Sequence, residues 1–275
     1  MKMSTQVWIL TFHRPVALNR LIEHFGEQGY MVNILSNHPK VHIDLVNEKY
    51  VNQTIINTLN SSESNSWCAR SWNTILMKAF DTPDEEASAI LIQDDTDITP
   101  TFRGWFEHNQ PNFDFIWGPA GDQFHYTTKK VLQKVGWWEE TYQGCYADDA
   151  EYLKRAYIYF RDSNKLDRIS VEDSHNWGFV HNPIGIPAHI VTTYQSKTID
   201  PTYENQHWHF ERILGCGGQT SETNPTIKAA QALFEKKWGV MLDNGRPIID
   251  SLVRKEPEIN WYPWATKKFG IEVYK

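Results

Sequence analysis

Cysteine is scarce. Cys68, Cys145 and Cys216 are the only three in 275 residues, too few and too widely spaced for a disulfide framework or the paired ligands of a zinc site. That usage suits a reducing compartment, and the expectation is a cytoplasmic protein. No apolar run approaches the ~20 residues of a membrane helix. Near the start, "VWIL" is too short for the apolar core of a secretion signal, and "TFHRP" follows at once. Basic charge is short as well. With 27 Lys and Arg against 34 Asp and Glu, the formal net charge is -7, which argues against a nucleic-acid partner gripped through its phosphates. There is no glycine-rich phosphate loop: "TFHRPVALNR" contains no glycine and matches neither a P-loop nor a GxGxxG turn. No internal repeat is visible.

What is present is an ordinary globular balance, 40% hydrophobic and 22% charged, with an aromatic excess of 12 Trp, 12 Tyr and 13 Phe. Most of these rings belong in a core, although aromatic faces also stack on the apolar faces of sugars. "QVWILTF" reads as a buried strand, "VALNRLIEHFGEQG" as a helix stopping near Gly29, "YMVNILSN" as a second strand and "VHIDLVN" as a third. "WCARSWNTILMKAF" has helical spacing, "ASAILIQ" and "FDFIWGP" read as strands, and "TTKKVLQKVGWWEETY" holds a short helix ending at Gly136. "DDAEYLKRAYIYF" is a helix opened by acids, "DRISVEDSHNWGFV" a late strand running into a loop, and "PTIKAAQALFEKKWG" a helix with Pro first and Gly last. This alternation predicts an α/β layer structure with a largely parallel sheet.

The chemistry concentrates in two acidic places. The strand ending in "ILIQ" empties into Asp94, Asp95 and Asp97, and ligands of parallel α/β sheets bind at the carboxyl ends of strands. Asp95 and Asp97 form a D-x-D pair, two hard oxygen ligands suited to Mg2+ or Mn2+, ions that also clamp phosphates. An EF-hand is excluded, because "DTDITPTFRGWF" lacks the central Gly and closing Glu. The second place is Asp148 and Asp149 at a predicted helix start, where the helix dipole favours the carboxylate. There an acid serves either as a proton acceptor for a hydroxyl nucleophile or as a helix N-cap.

The order of these pieces resembles the GT-A fold glycosyltransferases, especially the large inverting family that uses nucleotide-diphosphate sugars. The resemblance spans roughly Val7 to Gly239 and rests on "TFHRP", "ARSWNTILMKAF", "ILIQDDTDITP", "VGWWEETYQGCYADDAEYLKRA" and "ALFEKKWG". It implies a Rossmann-like three-layer α/β/α fold with a mostly parallel mixed sheet. It also implies a catalytic domain over 1–239 with a C-terminal extension, 240–275, packing on it. By the same resemblance Asp149 is the catalytic base, with Asp148 as the other candidate. Thr11, His13, Arg14, Asn37, Arg70, Asn73, Asp94 and Asp95 border the donor. Asp95, Asp97 and His175 hold Mn2+ or Mg2+, with His181, His207 and His209 as rivals to His175.

Trp138 and Trp177 are the candidate acceptor platform. The implied donor is a nucleotide-diphosphate sugar, UDP-linked by resemblance, and the implied acceptor a hydroxyl of a glycan or glycoprotein. No nucleic acid and no membrane span enter. Three rivals remain: a retaining glycosyltransferase, which shares D-x-D but needs no base at the second pair, a nucleotidyltransferase, and a non-catalytic carbohydrate-binding module.

Overall fold

The computed structural model describes residues 5–11, 15–37, 45, 47–57, 67–119, 123–141, 148–173, 179–192, 225–239 and 259–273. In chain order they form β1 (Thr5–Thr11), α1 (Pro15–Glu27), β2 (Val32–Ser36), β3 (Val51–Ile56), α2 (Trp67–Ala79), β4 (Ser88–Gln93), β5 (Thr96–Ile98) and α3 (Phe102–Asn109). There follow β6 (Phe115–Trp117), β7 (Phe124–Thr128), α4 (Lys129–Val135), α5 (Asp148–Asp162), β8 (Ile169–Asp173), β9 (Phe179–His181), β10 (Ile190–Thr192), α6 (Pro225–Trp238) and α7 (Pro263–Phe269).

Strands buried on both faces read as continuous apolar runs whose alternate residues part to opposite sides. In β1, Val7 and Ile9 turn to one side and join Ile90 and Ile92 of β4 beneath α1 and α3. Trp8 and Leu10 turn to the other and join Leu91 beneath α2, α4 and α5. The result is three layers, helix on sheet on helix. Helix α1 presents Leu18, Leu21, Ile22 and Phe25 inward, the spacing of a helical stripe. Its Gly26 admits Tyr50 so closely that a Cβ there would lie 2.1 Å from the ring.

The main sheet has eight strands in the order β3-β2-β1-β4-β7-β6-β8-β9. Strands β1 to β4 are mutually parallel, as are β6 and β8. β7 runs antiparallel between β4 and β6, and β9 antiparallel to β8. β5 and β10 form a separate antiparallel pair. The mostly parallel, mixed α/β sheet expected from the sequence is the one observed.

Two strands differ from the sequence reading. "VHIDLVN" lies largely outside the described residues, and the strand beside β2 is Val51–Ile56. "FHYTT" forms β7, so the two threonines read as a helix start close a strand instead. Thr128 then caps α4, its Oγ1 accepting from Val131 N at 3.3 Å.

Gly136 ends α4 with φ of 86°, a left-handed conformation costly for other residues. Among the described residues, 259–273 pack on the body. Trp137 Nε1 donates to Thr266 Oγ1 at 2.8 Å, and Gln133 Nε2 to Phe269 O at 3.0 Å. No helix among the described residues is long and apolar enough to cross a membrane.

Candidate active site

The carboxyl ends of β1, β2 and β4 deliver Thr11, Asn37 and Asp94 to one edge, and hydrogen bonds join them. Thr11 Oγ1 donates to Asp94 Oδ2 at 2.5 Å, and Asn37 N donates to Thr11 O at 3.0 Å. The Asn37 amide in turn exchanges bonds with Ser71 Oγ, at 3.0 and 3.2 Å. Ser71 lies in the opening turns of α2, and two residues before it the Ala69 backbone faces the Asp148 carboxyl and favours its charged form. A continuous path therefore runs from the first acidic cluster to the second through the start of α2. Asp94 and Asp95 are only 3% and 4% exposed.

At the other end of that path the two aspartates differ. Asp148 is buried and spends its carboxylate on backbone amides, bridging the starts of α5 and α2. Burial, with the neighbouring Asp149 charge second, pushes it up to about 7. Asp149 keeps partial access to solvent. Its Oδ1 accepts from Ala150 N at 2.7 Å. Burial also raises its pKa, opposed by backbone amides and by Lys154. The Asp149 charge and burial act in the same direction on Asp148, so the two carboxyls influence each other's titration.

In the first cluster, Asp95 and Asp97 face different ways. Asp95 Oδ2 accepts from Gln123 Nε2 at 3.2 Å, a partner the sequence did not signal. Asp97 turns toward α1. Its Oδ2 is 2.9 Å from Arg20 Nε, and its Oδ1 is 2.7 Å from His24 Nδ1 and accepts from Ile98 N at 2.8 Å. A carboxylate held by a guanidinium, an imidazole and a backbone amide does not fit the ligand role expected of it. Among the described residues no cluster of three or more metal-ligating side chains forms. His175 lies outside the described residues, as do His207 and His209, and His181 sits exposed on β9. His13, Arg14 and Trp177 also lie outside them.

Arg70 and Asn73 lock onto the turn that follows α4. Asn73 Nδ2 donates to Trp138 O at 3.0 Å and to Glu140 Oε1 at 2.9 Å, and its Oδ1 accepts from Trp138 N at 2.8 Å. Arg70 Nε reaches Glu140 Oε2 at 3.1 Å, and the Tyr262 hydroxyl also donates to Glu140. The neighbouring Glu139 pairs with Lys237 at 3.2 Å. Lys237 reaches Glu151 at 2.6 Å, and Glu151 forks onto Arg155. Arg155 donates to Val135 O and Trp137 O, satisfying carbonyls where α4 ends.

Trp138, expected as an acceptor platform, is instead a core side chain with no exposure. It stacks on Tyr152 at 4.4 Å and packs against Trp117 and Trp72. A ring sealed in this way has no face for an acceptor.

No protein-family model matches the chain, and no curated protein matches it. Among solved structures, a Bacillus anthracis protein named as a glucose-1-phosphate thymidylyltransferase, in complex with sucrose, shares 8% identity at a TM-score of 0.39. The match covers 72% of this chain and 97% of that one. A glycosyltransferase involved in glycosylation of the major capsid of PBCV-1 shares 13% identity at a TM-score of 0.30, over 62% of this chain and 82% of that one. Overlap of this extent decides nothing about activity, so the residues themselves carry the functional reading.

Proposed function

We propose that this chain is a glycosyltransferase that moves a sugar from a nucleotide-diphosphate donor, UDP-linked by preference, to a hydroxyl of a glycan, with inversion. The observation that carries the reading is the hydrogen-bonded path from Asp94 through Thr11, Asn37 and Ser71 to the start of α2, where Ala69 meets Asp148. A purely structural sheet edge has little reason to bury two acidic clusters and join them. A donor-binding end and a proton-accepting end of one site do need that proximity.

In this reading Asp149 is the base, since Asp148 is committed to the backbone amides of two helices while Asp149 keeps partial access. Asp149 takes the proton of the acceptor hydroxyl. The hydroxyl oxygen then bonds to the anomeric carbon as the bond from that carbon to the diphosphate breaks, and its electron pair leaves with the nucleoside diphosphate. A base whose pKa is raised toward the working pH accepts that proton more readily than an ordinary carboxylate. Thr11, Asn37, Arg70 and Asn73 line or brace the donor edge, with Asp94 and Asp95 at its acidic corner. A bound Mn2+ or Mg2+ would supply Lewis-acid stabilisation of the departing diphosphate. Asp95 would hold it, since Asp97 is held by Arg20.

The test is a panel of nucleotide sugars, with and without Mn2+, read by thermal stabilisation, because a ligand that binds only the folded chain raises its melting temperature. Stabilisation by one nucleotide sugar, with its slow hydrolysis when acceptor is absent, supports the reading. No response to any of them refutes it. Synthesis of a nucleotide sugar from a sugar phosphate and a nucleoside triphosphate would favour the nucleotidyltransferase alternative.

A further inference from the structure

We propose that Tyr262 is a positioning residue: its hydroxyl, acting through Glu140, fixes Arg70 and the first turns of α2 at the acidic edge. The consequence for ligand binding rests on the reading of that edge as a nucleotide-sugar site, whereas the mechanical link does not.

Glu140 is 8% exposed, and a carboxylate removed from water needs donors on both oxygens. Its Oε2 takes Arg70 Nε, and its Oε1 takes both Asn73 Nδ2 and the Tyr262 hydroxyl. Two of these donors come from α2 and the third from a segment 122 residues away along the chain. Arg70 is next to Ser71, the residue that carries the hydrogen-bonded path to Asn37 and the strand ends. Whatever shifts Glu140 therefore shifts the part of α2 that joins the two acidic clusters.

The hydroxyl is not what docks the tail. Helix α7 is anchored separately through Trp137 to Thr266, Gln133 to Phe269 O, and Glu272 N to Gln133 O, with Ala265 and Phe269 in the core. Burial also pushes the Tyr262 phenol well above the usual tyrosine range, so it remains a proton donor to Glu140. Docking and positioning can therefore be separated by single substitutions on neighbouring turns.

Tyr262→Phe removes the hydroxyl that donates to Glu140 and meets the Asn73 side chain, both at the α2 end of this contact. Thr266→Val removes the acceptor of Trp137 and leaves Glu140 untouched. Amide hydrogen exchange on the ligand-free proteins, with titration of UDP, compares them. Tyr262→Phe is expected to speed exchange across residues 68–73 about tenfold, the size of effect of losing one hydrogen bond to a charged group, and to weaken UDP binding several-fold. Thr266→Val is expected to lower the melting temperature while leaving both quantities unchanged. Unaltered exchange at 68–73 in Tyr262→Phe, or equal changes in the two variants, overturns the proposal. Wild-type protein that ignores UDP while exchange responds as described overturns the nucleotide reading and leaves the link standing.

Discussion

Arg20 Nε lies 2.9 Å from Asp97 Oδ2, so the positive charge facing the last aspartate of the DDTD segment comes from helix α1 of the chain itself. His24 Nδ1, 2.7 Å from the other oxygen, completes the grip. The pair is mostly buried, at 19% and 16% exposure. Its loss leaves a shielded charge unmatched, whereas an exposed pair is worth little. Asp97→Asn is therefore expected to lower the melting temperature by about 3–6 °C, for a loss of about 1–2 kcal/mol. Binding of a nucleotide sugar should stay close to wild type. Unchanged melting with lost binding would return Asp97 to the ligand side of the site.

Asp149→Asn and Asp148→Asn should differ in kind. The first is expected to reduce transfer by about 10²- to 10⁴-fold, the scale of a lost general base, with donor affinity little changed. The second keeps a carbonyl oxygen for the Ala69 backbone and should leave measurable turnover. Steady-state kinetics with a donor titration decide it. Equal losses would mean that the two carboxyls act together.

Folding stability should carry the signature of the same pair. Burial raises the Asp148 pKa to about 7 from its ordinary 3.8, so the folded chain holds that proton more tightly than the unfolded one. The resulting stabilisation is fully present below about pH 4 and is lost as pH rises through about 7. Chemical denaturation from pH 4 to 8 should show stability falling over this window. Asp148→Asn should flatten that fall. An identical slope in the variant would remove Asp148 as its source.

Trp138→Ala should behave as a core deletion, since the ring stacks on Tyr152 and is sealed from solvent. The expected cost is about 3–5 kcal/mol. Trp138→Phe should recover much of the stability. An acceptor Michaelis constant that rises in Trp138→Phe without loss of stability would put the ring back in contact with acceptor.

Much of this was legible in the sequence because burial on both faces of a strand, or on one stripe of a helix, leaves a periodic trace. β1, β4, α1 and α2 all show it. β3 and β7 do not. β3 borders the sheet with Asn52 and Gln53 exposed, and β7 places His125, Thr127 and Thr128 at buried positions where a hydrophobic pattern expects apolar residues. The acidic clusters announced themselves by local density. Ser71, Gln123, Glu140 and Tyr262 did not, because their roles come from partners distant in sequence. The same holds for Asp97, whose spacing from Asp95 suggested a shared ion while its actual partner lies 77 residues earlier by the numbers of the pair, Arg20 and Asp97.

The reversed direction of β7 has a further outcome. A strand that runs against its neighbours offers its beginning, not its end, to the edge where they finish, and Phe124 pairs with Ile92 there. Gln123 is thereby handed to Asp95. A substitution at Gln123 thus reaches the acidic corner from the far side of the sheet's reversed inner strand, without altering β4, which leads into Asp95.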